Sequence, residues 1–208
     1  MEEKQALGYC LSAHLFSVYE RELKGFPRTP LAKIASAGER VWIAGVVHSN
    51  RVQMTRRGRM VVVVLDDGTA QQEITVFNEL FEKHREKVKD DRLLVIQGKV
   101  QRDEFISGFR VSAEDLLDMA DFRTRFAARL RIAMNGKADA KRLQATLAPY
   151  RDGNGRGCPV LVEYENAGAA CEVALGDSWR VRPDERLLGE LAEWLSADAV
   201  QFQYRTGA

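Results

Sequence analysis

The sequence predicts an α+β multidomain chain: a short helical segment, then a five-stranded β-barrel, then a second α+β domain of βαββαβ order. Three patterns predict it. Residues 41–112 alternate short apolar strands with turns around one helix, residues 129–204 read strand, helix, strand, strand, helix, strand, and residues 4–24 carry apolar side chains at helical spacing. At 208 residues the chain is too long for one small barrel and suits two compact units plus a connection. The expected boundaries are 1–38 for a helical lead-in and linker, 39–118 for the barrel and 119–208 for the last domain.

In the lead-in, Leu7, Cys10, Leu11, Val18, Tyr19 and Leu23 fall on one helical face, with an interruption expected near Gly8. The helix starts without a convincing cap directly after Met1, so the chain is expected to be a piece of a longer protein. Pro27 and Pro30 mark Gly25–Gly38 as a linker. The barrel strands are expected at Val41–Val47, Met60–Leu65, Gln71–Phe77, Arg92–Val100 and Phe109–Ser112. Asp67-Gly68 signals a hairpin, and Asn78 is expected to cap a helix running to about Val88. Five strands with one helix between the third and fourth is the order of an OB-fold.

The last domain is predicted as strand Arg129–Met134, helix Ala138–Tyr150, strands Pro159–Tyr164 and Ala170–Leu175, helix Pro183–Leu195 and strand Val200–Tyr204. That order is ferredoxin-like. Leu143, Leu147 and Tyr150, and Leu187, Leu188, Leu191, Trp194 and Leu195, give the two helices apolar faces that suit the cover of a sheet. Pro183 followed by Asp184 and Glu185 is a helix start.

Composition excludes several classes. Hydrophobic residues make up 45% and charged residues 29%, an ordinary globular balance, and no apolar run nears the roughly 18 residues of a membrane span. MEEKQALGYC is acidic and polar where an export signal would be basic and then apolar, so a cytoplasmic location and no membrane partner are expected. Cys10, Cys158 and Cys171 form no CxxC pair, which argues against a disulfide framework or zinc site and leaves three thiols expected to be buried. Net charge is +1, so any electrostatic footprint must be local: residues 41–111 hold 12 Lys and Arg against 10 Asp and Glu, and residues 127–208 hold 11 of each.

The candidate site is the stretch RVQMTRRGR between the first two strands, with Arg51, Arg56, Arg57 and Arg59 and no interleaved carboxylate. A flexible cationic loop on such a barrel supplies charge for phosphate and reach around a single strand. Arg102, Phe105 and Arg110 around the turn DEFISG form the opposite lip, with Phe105 either stacking on a base or plugging the barrel end. Alternation along Gln71–Phe77 sets Phe77 with Glu73 and Thr75, toward ligand or against the following helix. In the last domain Trp179, Arg180 and Arg182 are a partner surface or, for Trp179, core.

Catalytic patterns are weak. Asp66 and Asp67 are neighbours on a strand end, so they point to opposite faces and favour turn formation over metal binding. His14, His48 and His84 stand alone, without a nucleophile at an interpretable spacing. DGNGRG at 152–157 follows a helix, precedes a strand and lacks the Lys-Ser/Thr of a phosphate loop, so it reads as a mobile connection. No catalytic residue, metal ligand or cofactor is expected in this chain.

Four segments stand out: EKQALGYCLSAH (Glu3 to His14), TRRGRMVVVVLDDGTAQQEITVF (Thr55 to Phe77), LLVIQGKV (Leu93 to Val100) and GDSWRVRPDERLL (Gly176 to Leu188). On these the sequence resembles the C-terminal region of the catalytic alpha subunit of bacterial DNA polymerase III, the replicative C-family polymerase. The resemblance implies that the nucleotidyltransferase carboxylates precede this segment, that the OB domain meets single-stranded template, and that the last domain docks the tau subunit of the clamp loader. It also implies a weak sliding-clamp motif near the end. Here the tail is DAVQFQY, with Ala199 where glutamine is expected, which sets contact through Val200, Phe202 and Tyr204 in question. Leu15 in LSAHLF stands where many relatives have proline. Two further readings stay open: a structural barrel in a protein-interaction module, and an OB-containing segment of another nucleic-acid enzyme such as a tRNA synthetase or helicase.

Overall fold

The computed structural model describes residues 15–55, 58–103, 108–134, 136, 139–166 and 168–205. The chain divides into two compact units, Met1–Met119 and Ala120–Ala208. In the first, residues 15–23 are helical (α1), with Phe16 and Leu23 buried. The predicted helix from residue 4 to residue 14, Cys10 included, lies outside the described residues.

A closed barrel follows, ordered β1-β2-β3-β5-β4 from β1 (Arg40–Thr55), β2 (Gly58–Asp66), β3 (Gln71–Phe77), β4 (Leu93–Asp103) and β5 (Gly108–Leu117). β1 is 16 residues long because it serves two neighbours. Arg40–Val46 pairs with β4, Val46–Thr55 pairs with β2, and a bulge between Val47 and Ser49 redirects the strand. A parallel pairing of β3 with β5 completes the ring. Inside, Ile43, Val61, Val63, Leu65, Ile74, Val76, Leu94, Ile96 and Val111 form one apolar cluster. Phe81 of α2 (Asn78–His84) packs into it as a plug. Asn78 is the first helical residue and does not cap; Phe77 occupies the cap position without a side-chain bond.

The Asp66–Thr69 turn is built on its two carboxylates, both buried. Asp66 accepts from the Gly68 amide at 2.8 Å, and Asp67 accepts from the Thr69 amide at 2.9 Å and, from the linker, the Leu31 amide at 3.0 Å. Satisfying these donors ties linker to barrel, which accounts for two buried acids without chemistry. Among the described residues no group of His, Cys, Asp and Glu is placed to hold a metal ion, and no helix is long and apolar enough to cross a membrane.

In the second unit, α3 (Met119–Phe126) precedes β6 (Ala127–Ala133), α4 (Ala140–Leu147), β7 (Val160–Asn166), β8 (Ala169–Ala174), α5 (Glu185–Trp194) and β9 (Val200–Tyr204). α3 was not foreseen, although Met119, Phe122 and Phe126 stand at helical spacing and are buried. Asp139 and Asp184 cap α4 and α5 through the Arg142 and Arg186 amides, so Pro183 lies one residue before the cap. The element order is the expected β-α-β-β-α-β, but the strand order is β8-β7-β6-β9. A ferredoxin-like sheet splits its βαβ unit, whereas here β6 pairs directly and in parallel with β7. The reason lies in β8: AACEVA has too little apolar bulk for a central position, and all six residues are exposed at the sheet edge.

The thiols differ from expectation as well. Cys158 is buried, and desolvation pushes its thiol up to about 12, while Cys171 is exposed on β8. Iodoacetamide on the native chain, followed by peptide mass spectrometry, is expected to label Cys171 and to spare Cys158 until denaturant is added. Equal labelling of the two would contradict the burial of Cys158.

Candidate nucleic-acid interface

The arginine-rich stretch is a two-stranded ribbon, where a flexible loop had been expected. Arg51–Thr55 continue β1, Gly58 and Arg59 begin β2, and Thr55 pairs with Gly58. Arg56 and Arg57 lie outside the described residues. Gly58 takes φ +106° and Thr55 Oγ1 donates to the Gly58 carbonyl at 2.8 Å, which closes the ribbon end. From His48 outward β1 is exposed throughout, so its polar sequence hides a strand whose pairing is imposed by apolar β2.

Strand alternation divides the cluster. Arg51 stands opposite Val62, and Arg59 opposite Met54, so the two arginines leave the ribbon on opposite faces. On the outer barrel face the register runs Arg51, Val62, Thr75, Ser112, Lys99. Glu73, on the same face of β3, accepts from Arg51 Nη2 at 2.7 Å and lies 3.9 Å from Arg110 Nη2. One carboxylate thus gathers guanidinium groups from β1 and β5. Arg59 turns toward α2, with its guanidinium carbon 5.7 Å from the Phe81 ring centre and Nη1 3.4 Å from Glu82.

These pairs are open to water: side-chain exposure is 64% for Arg51 and 40% for Arg59. Surface ion pairs of this kind contribute about 0–1 kcal/mol each, so an incoming phosphate competes with Glu73 and Glu82 at small cost. Phe77 is 48% exposed beside Met60 on the Arg51 face, and does not pack under α2. Arg102 pairs with Phe109 and Arg110 with Gln101, which sets those two arginines on opposite faces of the β4–β5 ladder. Phe105 lies outside the described residues. Sequence reading missed Lys99 and Glu73: Lys99 is exposed in the register row, a place that the alternation of Gln97, Lys99 and Gln101 indicated.

In the second unit the predicted partner residues are occupied structurally. Arg180 pairs with Asp177 at 2.7 Å and donates to the Gly157 carbonyl at 3.1 Å, Arg182 donates to the Pro149 carbonyl at 3.0 Å, and Arg151 stacks 4.6 Å from the Trp179 ring centre. With the Asp152 amide bonded to the Arg180 carbonyl at 2.8 Å, they tie down the DGNGRG connection that was expected to be mobile. Trp179 is half-buried and Arg182 exposed. Val200, Phe202 and Tyr204 are buried on the covered face of β9, and Tyr204 lies 4.6 Å from the Phe122 ring centre. Packed in this way, those three side chains are not exposed for the clamp contact that the resemblance implies.

Residues 41–118 match the family model described as OB-fold nucleic acid binding domain, and residues 142–195 match DNA polymerase III subunit alpha, C-terminal domain. The chain is related to the C-terminal region of DNA polymerase III alpha subunits. The DNA polymerase III subunit alpha of Pasteurella multocida (strain Pm70) is 31% identical over 211 residues, which cover 98% of this chain and 18% of that protein. That of Escherichia coli (strain K12) is 29% identical over 210 residues, covering 97% and 18%. The chain thus spans under a fifth of the length of these alpha subunits. Among solved structures, asparaginyl-tRNA synthetase from Pyrococcus horikoshii is similar over 44% of this chain and 22% of its own, at 23% identity and a TM-score of 0.38.

Proposed function

We propose that this chain is a non-catalytic C-terminal segment of a replicative DNA polymerase, whose barrel holds single-stranded template and whose last domain docks the tau subunit of the clamp loader. The observation that carries the reading is the ribbon, which brings Arg51 beside Arg110 and the exposed ring of Phe77 on one open barrel face. Guanidinium groups neutralise phosphates while an aromatic ring stacks a base, the division of labour that single strands require. Trp179 and Arg182 supply the exposed part of the docking surface in the last domain. Bond formation belongs to the preceding part of the parent protein, a nucleotidyltransferase.

Fluorescence polarization with labelled oligo-dT tests the barrel. Binding that weakens with salt, with a log-log slope of roughly −3 for four phosphate contacts at about 0.7 each, is the expected result. A slope near zero would remove the reading. Glu73→Gln is expected to raise affinity about two- to fivefold at low salt, because it frees Arg51 and Arg110 from an exposed competitor; a fall in affinity would assign Glu73 a supporting role. The competing carboxylates Glu73 and Glu82 favour a second reading, a structural barrel within a protein-interaction module. Oligo-dT binding no tighter than that of a neutral control protein, with tau binding retained, would decide for it.

A further inference from the structure

β8 ends the second sheet, and all six of its residues are exposed. Its ladder with β7 runs unbroken from Leu161 opposite Ala174 to Asn166 opposite Ala169, without the proline, lysine or bulge that ordinarily blunts a sheet edge. The Leu175 amide donates to the Val160 carbonyl at 2.9 Å, and antiparallel alternation from that pair turns the backbone of Val173 and Cys171 toward β7. The N–H and C=O groups of Ala170, Glu172 and Ala174 therefore point away from the sheet, and among the described residues they meet no backbone partner. Both faces of this edge are unfinished. On one, Val200, Ile132, Val162 and Val173 pair in a row that is buried until its last member, which is 47% exposed. On the other, Glu172 stands opposite Glu163; Arg131 is bonded to Glu163, whereas Glu165 and Glu172 form no ion pair among the described residues.

We propose that β8 is a docking edge for an extended segment of a partner protein, which adds to the sheet as a further strand with a lysine or arginine opposite Glu172 and an apolar residue beside Val173. Backbone pairing gives such a strand its hold, and its alternate side chains give selectivity. Charge decides against a second copy of this chain as the occupant. Two β8 edges paired together would bring Glu165 and Glu172 of both molecules to one seam, where like charges repel. The edge includes neither Trp179 nor Arg182, and its occupant does not depend on the docking surface proposed above.

Fluorescence polarization of a labelled octapeptide of alternating lysine and valine, titrated with the whole chain, tests it. Saturable binding is expected, about fivefold tighter than that of the glutamate–valine counterpart, and Glu172→Lys should reverse the preference. Ala170→Pro with Ala174→Pro removes two outward N–H groups that β7 does not use, so the melting temperature should hold while peptide affinity falls about tenfold or more. Bound peptide should also slow iodoacetamide modification of Cys171, which lies on the same strand. No binding at millimolar peptide, equal affinity for the two peptides, an unchanged rate at Cys171, or a proline variant that keeps both its melting temperature and its affinity would overturn the proposal. So would a dimer in sedimentation that the two prolines dissolve, since that result assigns the edge to a second copy.

Discussion

Alanine at Arg51, Arg56, Arg57 and Arg59 together is expected to lower oligo-dT affinity by about two orders of magnitude at 0.1 M salt and to flatten the salt slope by roughly three. The size follows from counterion release, which multiplies over contacts, so the four positions act as a group. The structure adds an internal division. Arg51 leaves the ribbon beside Glu73, and Arg59 leaves on the other face beside Glu82. Single substitutions at Arg51 and Arg59 should therefore weaken binding independently and additively, as sites without shared partners do. Polarization titrations at several salt concentrations read both quantities. Unchanged affinity in the quadruple variant would take the ribbon out of the function.

The second large effect is expected at Gly98, where β4 passes close over β5. A Cβ there would lie 2.4 Å from Val111 Cγ1 and 2.8 Å from the Ser112 carbonyl oxygen. The register shift between Gln97 and Gly98 already bends the ladder at this point, and the Ser112 backbone has no room to retreat inside a closed ring. Gly98→Ala should cost about 3 kcal/mol and lower the melting temperature of the first unit by roughly 10 °C. Gly25→Ala, where an added Cβ meets nothing within 4 Å, is the neutral control. Equal melting temperatures for the two variants would show that the seam yields more readily than its geometry implies.

How much of this was legible in the sequence depends on what each residue packs against. β3 was read to the residue, because a turn at Asp67-Gly68, the buried pair Ile74 and Val76, and a helix start at Asn78 bracket it locally. The outer half of β1 was not, since no core lies on either side of residues 48–55 to impress an alternation on them. β5 ran five residues beyond its expected end because Glu114 and Asp115 disguise a strand that Leu116 and Leu117 continue to bury. The order of the second sheet depends on pairings between distant segments, and only the thin composition of β8 hinted at its edge position. The site followed the same rule: Arg51 and Arg110 were named from sequence, but Glu73, which joins them, became visible only when β3 was set between β2 and β5, one strand away from β1.

One strand forms both the closure of the barrel against β4 and the projecting arm, so the arm has no hinge of its own. Its facing is set by counting residues from the rim. Adding a single residue to each strand between the rim and Arg51 would exchange the sides of the whole outer ribbon, sending Arg51 toward α2 and Arg59 toward Glu73. Additions beyond Arg51, at the turn, would lengthen the arm and leave that facing untouched. A change in the length of this arm thus acts by parity near the barrel and leaves the facing alone at the tip.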